Sequence, residues 1–312
     1  MARVPRLAIT AGDPAGVGPE VCLKACEALA EESIMRPVLV GPAHAFAQAA
    51  DMLGMPVPSG VIDPCGLGPH FLKRAVSAEC GSAALRALEA ATAMAVRGEV
   101  DAIVTAPLNK EAIHAAGASE PGHTEILARL TGVPSSVLLL YSERLACGFV
   151  TCHQSLASVP GSLSSARVIE VARLMADALR RLRGHEPSLG LLALNPHAGE
   201  NGIFGREEIE VLLPAAAEAR RLGIDLSDPI PPDTAFTPDA LKRHDGFVCM
   251  YHDQGGIPFK MVSFHDGVNV TLGLPIVRTS PDHGTAFDIA WRGRASATSM
   301  IAAIRLAARL AY

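Results

Sequence analysis

The sequence predicts an α/β protein of two domains, and three observations support that prediction. Short apolar runs alternate along the chain with longer segments of helical periodicity, as in a parallel sheet covered by helices. The 312 residues exceed the size of one small core and suit two domains. Hydrophobic residues make up 49% of the chain but aromatic residues only 4%, so the core consists mainly of Ala, Val, Leu and Ile.

Seven short apolar segments are predicted strands: residues 7–10, 38–40, 102–105, 136–140, 146–151, 190–193 and 246–250. Residues 267–280 have a further strand pattern. Five segments are predicted helices: 19–29, 80–97, 165–182, 207–222 and 296–310. Polar clusters follow several strands, among them Ala-Pro-Leu-Asn-Lys at 106–110. Ligands of open α/β sheets bind beyond the carboxyl ends of strands, so these clusters are the first candidates for a site.

Charge and composition exclude several classes of partner. The net charge is -5 and basic residues form no long run, which argues against nucleic acid, since phosphate backbones need a positive surface. No apolar stretch approaches the roughly 20 residues of a membrane span. The first residues lack the pattern of a signal peptide, and the seven cysteines include no CxxC pair. We therefore expect reduced thiols in a cytoplasmic protein.

Three histidines lie at or just beyond the ends of predicted strands: His153, His197 and His252. Neutral imidazoles suit divalent transition metals, and three of them with one open position form a catalytic arrangement. A bound ion would polarise a hydroxyl being oxidised and the carbonyl formed from it. Because the three histidines are far apart in sequence, no short motif identifies them as metal ligands. Each of them could instead be an ordinary hydrogen-bonded residue.

A second group of residues suits an anionic ligand. Arg278 ends the 267–280 strand pattern and favours fork-like binding of phosphate or carboxylate, with Asn269 as a neutral donor. His123 and Thr124 begin an apolar helical run, and a helix N-terminus attracts anions; Thr124 is equally a candidate N-cap. Lys260 follows His252 by eight residues and is a candidate anion ligand, general base or solvated surface lysine.

The opening segment 11–20 reads Ala-Gly-Asp-Pro-Ala-Gly-Val-Gly-Pro-Glu and follows a predicted strand. This order is superficially that of a dinucleotide-binding glycine loop. The spacing is not G-x-G-x-x-G, and Pro14 would interrupt the turn that the loop requires. A Rossmann site is therefore not predicted here.

Taken together, the motifs resemble the 4-hydroxythreonine-4-phosphate dehydrogenase family of vitamin B6 biosynthesis. In chain order they are the 12–20 opening, Gly-His-Thr-Glu at 122–125, Asn-Pro-His-Ala-Gly-Glu at 195–200, Pro-Pro-Asp-Thr at 231–234, Tyr-His-Asp-Gln-Gly at 251–255, Gly-Val-Asn-Val-Thr-Leu-Gly at 267–273 and Arg-Thr-Ser-Pro-Asp-His-Gly-Thr-Ala at 278–286. They cover almost the whole chain in the expected order.

The resemblance implies the isocitrate/isopropylmalate dehydrogenase type of fold, in which two α/β domains enclose an active-site cleft. We expect a nucleotide-side domain of residues 1–107 plus 270–312. Residues 108–269 are expected to form the domain for metal, substrate and dimerisation. The implied cofactors are NAD (or NADP) and one divalent ion (Zn, Mg, Co or Mn).

The resemblance also assigns site residues. It implies that His153 and His197 bind the metal together with His252 of a partner subunit, which makes the protein a homodimer with a shared active site. The substrate ligands implied are His123, Thr124, Lys260, Asn269 and Arg278. The implied cofactor loop comprises His283, Gly284, Thr285, Ala286 and Asp288. Asp233 and Asp253 are candidate catalytic residues that would orient metal ligands, or else surface carboxylates. The general base stays open between Lys260 and a metal-bound hydroxide.

The implied reaction is oxidation at C3 of 4-phosphohydroxythreonine, followed by loss of the β-carboxylate, giving 3-amino-2-oxopropyl phosphate. One motif departs from the family pattern: this chain has Thr-Cys-His-Gln-Ser-Leu at 151–156 around His153, where the biosynthetic enzymes usually have Thr-His-Leu-Pro-Leu. Dehydrogenation of 4-phospho-D-threonate or 4-phospho-D-erythronate, in sugar-acid catabolism, therefore remains an alternative. Another branch of the family oxidises a dihydrodiol that carries no phosphate. This chain retains the phosphate ligands His123, Thr124, Asn269 and Arg278, which argues against that branch. A non-catalytic phosphometabolite-binding protein is the alternative from another class.

Overall fold

The computed structural model of the protein describes residues 3–120 and 122–312. Contacts divide them into two compact units. Unit 1 comprises the described residues up to Ser136 together with Leu274–Tyr312, and unit 2 comprises Val137–Gly273. This division differs from the domain boundaries expected at 107 and 269. The helical segments 110–115 and 123–131 pack against the long helix 78–96 of unit 1, and residue 269 lies inside a strand of unit 2.

Nine strands form in the described part of the chain: β1 Arg6–Thr10, β2 Arg36–Val40, β3 Ala102–Thr105, β4 Val137–Tyr141, β5 Ala146–Phe149, β6 Leu189–Leu191, β7 Gly246–Cys249, β8 Val268–Leu272 and β9 Val277–Pro281. The seven predicted strands are confirmed within a few residues. The pattern at 267–280 is two strands and not one. Gly273 ends the first with a φ of 88°, a left-handed conformation that breaks the extended run.

The described helices are α1 Gly18–Ala28, α2 Ala43–Leu53, α3 Ala78–Val96, α4 Lys110–Ala115, α5 His123–Thr131, α6 Val159–Ser162, α7 Ser165–Arg183, α8 Leu213–Arg221, α9 Pro232–Ala235, α10 Pro238–Arg243, α11 His252–Ser263 and α12 Thr298–Leu310. The helix predicted at 207–222 consists of a π-helical turn, Glu208–Leu212, that continues into α8. None of the helices within 3–120 and 122–312 combines the length and apolar character needed to cross a lipid bilayer.

Unit 1 contains a parallel sheet of order β2-β1-β3-β9. Its core is rich in alanine, as the composition predicts, and includes Ala83, Ala87 and Ala91 on one face of α3. The backbones of α3 and α4 touch: a Cβ atom added to Gly81 would lie 2.1 Å from the Ala112 carbonyl oxygen. Glycine at 81 therefore fixes the position of α4, which begins at the carboxyl side of β3.

Unit 2 contains a mixed sheet of order β8-β4-β5-β7-β6, in which β4 is antiparallel to both its neighbours and β5, β7 and β6 are parallel. Phe149, Phe247 and Phe259 form much of its core beneath α11. Helix α11 was not predicted, because Gly255, Gly256 and Pro258 disfavour a helix. Gly255 is required by packing, since a Cβ atom there would lie 2.6 Å from the Cys249 sulfur.

Candidate active site

Unit 1 holds a buried arginine where β3 and β9 lie side by side. Arg278 is 4% exposed, and its Nε and Nη2 groups donate hydrogen bonds to Thr105 Oγ1 at 3.1 and 2.7 Å. Burial lowers the pKa of Arg278 to about 10, and the nearby Glu125 carboxylate opposes that shift. The guanidinium therefore keeps its charge at neutral pH. Thr105, which fixes its orientation, was not singled out in the sequence because a single hydroxyl at a strand end carries no signal.

His123 lies beside Arg278 at the start of α5. Its Nε2 atom is buried and has no hydrogen-bond partner within the described ranges. Burial lowers the pKa of His123 well below its usual value, and the positive charge of Arg278 lowers it further, so the imidazole is neutral. Gly122 is the N-cap of α5, and no side chain caps this helix. Thr124 therefore lies in the first turn and is not the N-cap. We call Arg278, His123 and Thr124 at this helix end the anion-binding group.

Unit 2 brings two of the predicted metal ligands together. The ring centroids of His153 and His252 are 5.9 Å apart, and both line a pocket of about 470 Å³ with Cys152, Gln154 and Ser155. His252 Nδ1 lies 2.8 Å from Asp253 Oδ1, so the carboxylate fixes the ring and leaves Nε2 available. This pair lies within one chain, whereas the resemblance implies that His252 of a partner subunit completes the metal site.

His197 lies in an unusual turn. The five residues His197–Asn201 all have left-handed φ and ψ angles, and four of them are not glycine. Side chains with a Cβ atom adopt this conformation at a cost of about 1 kcal/mol each or more. The His197 ring lies 6.1 Å from the Phe204 ring. Within the described ranges no three His, Cys, Asp or Glu side chains are grouped as metal ligands. The assignment of His197 to a metal therefore stays a prediction.

Glu208 holds this turn in place. The buried carboxylate accepts hydrogen bonds from the backbone N–H groups of Leu194 and Asn195, each at 2.8 Å, and from the Asn195 side chain at 2.9 Å. A Cβ atom added to Gly199 would lie 2.6 Å from Glu208 Oε2, so the carboxylate lies directly against the left-handed residues. The π-helical turn begins at Glu208, and π-turns frequently occur at functional sites. Sequence reasoning missed this residue because its partners are identified only by the fold.

The remaining unit 2 candidates occupy different environments. Asn269 lies on β8, and its Oδ1 atom is buried without a hydrogen-bond partner in the described chain. Such an atom suits a ligand-binding role. Lys260 is exposed two turns after His252 on α11, and Asp233 is exposed on α9. Their predicted roles as base and orienting residue stay predictions.

The predicted cofactor loop is a turn segment of unit 1 that packs against the opening motif. Thr285 accepts a hydrogen bond from the Val17 N–H at 3.0 Å, and a Cβ atom added to Gly16 would lie 2.8 Å from the Thr285 carbonyl oxygen. Arg74 donates to the carbonyls of Phe287 and Asp288. His283 and Gly284 are exposed. Ala286 has a left-handed φ of 45°. The opening motif therefore supports this loop.

The fold and these groups define an α/β protein whose buried arginine and neutral histidine suit a small anionic ligand. Comparison with known proteins identifies the family. The chain belongs to the family described as pyridoxal phosphate biosynthetic protein PdxA, whose family model matches residues 35–307. The resemblance inferred from the motifs is thus confirmed.

Relatives with similar identity have two different substrates in their names. The chain is 43% identical to D-threonate 4-phosphate dehydrogenase of Salmonella typhimurium, over 98% of each chain. It is 44% identical to 4-hydroxythreonine-4-phosphate dehydrogenase of Caulobacter vibrioides, over 98% of this chain and 97% of the relative. The solved 4-hydroxythreonine-4-phosphate dehydrogenase of Klebsiella pneumoniae matches with a TM-score of 0.87, 41% identity and 99% coverage of both chains. All three are named dehydrogenases, which makes this chain an oxidoreductase.

A distant structural match concerns the fold alone. A β-decarboxylating dehydrogenase from Thermococcus kodakarensis matches with a TM-score of 0.51 at 14% identity, over 95% of this chain and 80% of that one. The mixed α/β fold expected from the sequence is confirmed at this level.

Proposed function

We propose that this protein oxidises a phosphorylated hydroxy acid, 4-phosphohydroxythreonine, with NAD and a divalent metal, and that decarboxylation follows. The observation that supports this most is Arg278. A charged guanidinium held by Thr105 in a buried position, beside a neutral histidine and an uncapped helix end, is suited to a phosphate group. The names of the relatives support a phosphorylated substrate independently.

The metal and cofactor belong to the same proposal. His153 and His197, together with the partner's copy of His252, would hold a divalent ion, which when bound would supply a Lewis acid for the hydroxyl and the carbonyl formed from it. Asp253 Oδ1 lies 2.8 Å from His252 Nδ1, which holds the ring and leaves Nε2 as the ring nitrogen available for this purpose. The loop of His283, Gly284, Thr285, Ala286 and Asp288 would bind the NAD that accepts the hydride. Lys260 would bind the substrate or move the hydroxyl proton.

We also propose a homodimer in which the partner's copy of the α11 histidine completes the site. Helix α11 begins at His252 and ends at Ser263, and three exposed apolar side chains follow its spacing: Ile257 and Met261 on the helix and Phe264 at its C-cap. Met261 is 82% exposed. A stripe of this kind is unfavourable in water and suits burial against a second copy.

A second substrate, 4-phospho-D-threonate, is favoured by the residues around His153. Gln154 donates hydrogen bonds to the hydroxyls of Ser158 and Ser162, and Gln154 and Ser155 line the pocket where the family pattern has Leu and Pro. This lining departs from the pattern of the biosynthetic enzymes, and relatives named D-threonate 4-phosphate dehydrogenase support a substrate with a hydroxyl in place of the amino group.

The test is NAD reduction, followed by NADH absorbance, with 4-phosphohydroxythreonine and 4-phospho-D-threonate compared at equal concentration. Each assay is repeated after chelation and after re-addition of Zn²⁺, Co²⁺, Mn²⁺ or Mg²⁺. Faster turnover of the amino acid supports the main proposal, and faster turnover of the hydroxy acid supports the second. If neither is oxidised with any metal, the dehydrogenase proposal fails.

A further inference from the structure

The anion-binding group of unit 1 lacks the charge that a phosphate needs. Arg278 carries one positive charge, which the nearby Glu125 carboxylate balances. His123 adds none, because burial and the charge of Arg278 keep its imidazole neutral. A phosphate monoester carries a charge of about -1.5 to -2 at neutral pH. A further cation within reach of this helix end would therefore be required for tight binding.

Lys110 lies at the required place. It is the first residue of α4, and a Cβ atom built on Gly122, the N-cap of α5, would lie 3.9 Å from Lys110 Cε. The Glu125 Oε2 atom lies 3.7 Å from the same point. The lysine side chain therefore passes over the uncapped helix end that carries His123 and Thr124.

The Lys110 ammonium is not engaged by another side chain in the described ranges. Across residues 3–120 and 122–312 it forms no hydrogen bond or ion pair, whereas other cations of unit 1 are engaged: Lys24 with Glu20, Arg74 with two carbonyls and Arg129 with Glu120. Its backbone position is fixed, since Asn109 Oδ1 accepts a hydrogen bond from the Ala112 N–H and caps α4. A free ammonium on a flexible stem, anchored on a fixed helix, can move to a ligand without first breaking an ion pair.

We infer that Lys110 is a further substrate-binding residue, which supplies the second positive charge for the phosphate held by Arg278, His123 and Thr124. This inference rests on the proposed phosphorylated substrate. It concerns the terminal phosphate and is independent of whether the rest of the substrate is an amino acid or a hydroxy acid.

The test uses Lys110→Met and Lys110→Arg, with Lys242→Met on α10 as the control, since Lys242 is also an exposed lysine and lies in unit 2. For the faster substrate, Lys110→Met should raise KM about tenfold and the inhibition constant of inorganic phosphate by a similar factor, corresponding to about 1.4 kcal/mol. In Lys110→Arg both constants should stay within a few-fold of the wild-type values. In Lys242→Met both constants should equal the wild-type values. Unchanged KM and inhibition constant in Lys110→Met would overturn the inference.

Binding of inorganic phosphate separates this inference from the proposed function. If the wild type oxidises neither substrate, calorimetric titration with phosphate still compares the same variants. If Lys110→Met binds phosphate more weakly than Lys242→Met does, Lys110 belongs to an anion site even though neither substrate is oxidised. Equal binding in both variants, or no binding to the wild type, rejects it.

Discussion

At the scale of single residues, Asp13 is a carboxylic acid side chain that is buried from solvent. It is fully buried, Oδ1 accepts a hydrogen bond from the Ala15 N–H at 2.9 Å, and Oδ2 has no hydrogen-bond partner in the described chain. Burial raises the pKa of Asp13 to about 6, and the single hydrogen bond only partly opposes this. The opening motif therefore contains a carboxyl group that destabilises the folded state when it ionises.

This pKa shift makes stability dependent on pH with a definite sign. Between the usual pKa near 4 and the folded value of about 6, the folded state binds more protons than the unfolded state, so stability falls as pH rises through this window. We expect Asp13→Asn to remove this dependence and to raise the free energy of unfolding at about pH 8 by up to about 3 kcal/mol. Urea unfolding at about pH 4 and pH 8 measures it. Asp239→Asn, exposed on α10, is the control; an equal pH slope in wild type and Asp13→Asn would contradict the expectation.

Arg278 gives a prediction that separates charge from geometry. Arg278→Lys keeps the positive charge but loses the pair of N–H groups that donate to Thr105 Oγ1. We expect KM for the phosphorylated substrate to rise about tenfold, or about 1.4 kcal/mol, with a much smaller change in kcat. Steady-state kinetics, with exposed Arg36→Lys as the control, measure both constants. A change confined to kcat would place Arg278 in the chemical step instead.

The sequence indicated Arg278 and His123 as anion ligands for two reasons. Their side chains suit an anion, and Arg278 lies at the end of a predicted strand while His123 lies at the start of a predicted helix. Thr105 and Glu208 carry no such signal, and Lys110 was noted only within a polar cluster after the third strand. These residues act through neighbours that are distant along the chain, such as Thr105 and Arg278, which are 173 residues apart. Spacing arguments do not detect pairs of this kind.

At the scale of elements, the left-handed turn His197–Asn201 is stable only because other groups hold it. Glu208 accepts three hydrogen bonds beneath the turn, and the Gly199 carbonyl accepts one from the Phe204 N–H at 3.2 Å. Sequence periodicity predicted a helix at 207–222 but neither its π-helical start nor this turn, since both depend on one buried carboxylate.

Glu208→Ala tests this dependence. The change leaves the N–H groups of Leu194 and Asn195 without their acceptor, so we expect the free energy of unfolding to fall by about 3 kcal/mol. We also expect the affinity for a divalent ion to fall about tenfold, because His197 loses its fixed position. Urea unfolding and calorimetric titration with Zn²⁺ measure the two effects. Glu210→Ala is the matched control, since Glu210 lies on the same π-helical turn as Glu208 and its carboxylate pairs with exposed Arg206. Equal stability of the two variants would refute this role.

Helix α11 shows why local propensity failed at one element. Gly255 and Pro258 disfavour a helix in isolation, yet Gly255 is needed for α11 to lie against the Cys249 sulfur. Close packing therefore outweighs propensity, and it does so in the helix that begins at His252.

At the scale of the whole molecule, the apolar stripe of α11 predicts that assembly and activity depend on each other. We expect Met261→Glu to shift the protein from dimer to monomer and to lower turnover, because a charged side chain cannot be buried in the interface. Sedimentation velocity and NAD reduction on the same samples measure this. Leu222→Glu is the control, an exposed apolar residue away from α11. A fully dimeric Met261→Glu variant would rule out this stripe as the interface.

Unit 1 is built from two stretches of chain, with the whole of unit 2 between them in sequence. The pairing of β3 with β9 therefore joins residues that leave the ribosome far apart in time. At about 5–20 residues per second, the 173 residues between Thr105 and Arg278 take roughly 10 to 30 s to synthesise. Unit 2, which ends at Gly273, is synthesised within that interval, and β3 has no partner strand β9 until it is complete. Arg278 on β9 is therefore added to unit 1 only when translation is almost finished, so the proposed phosphate site is one of the last parts of the molecule to form.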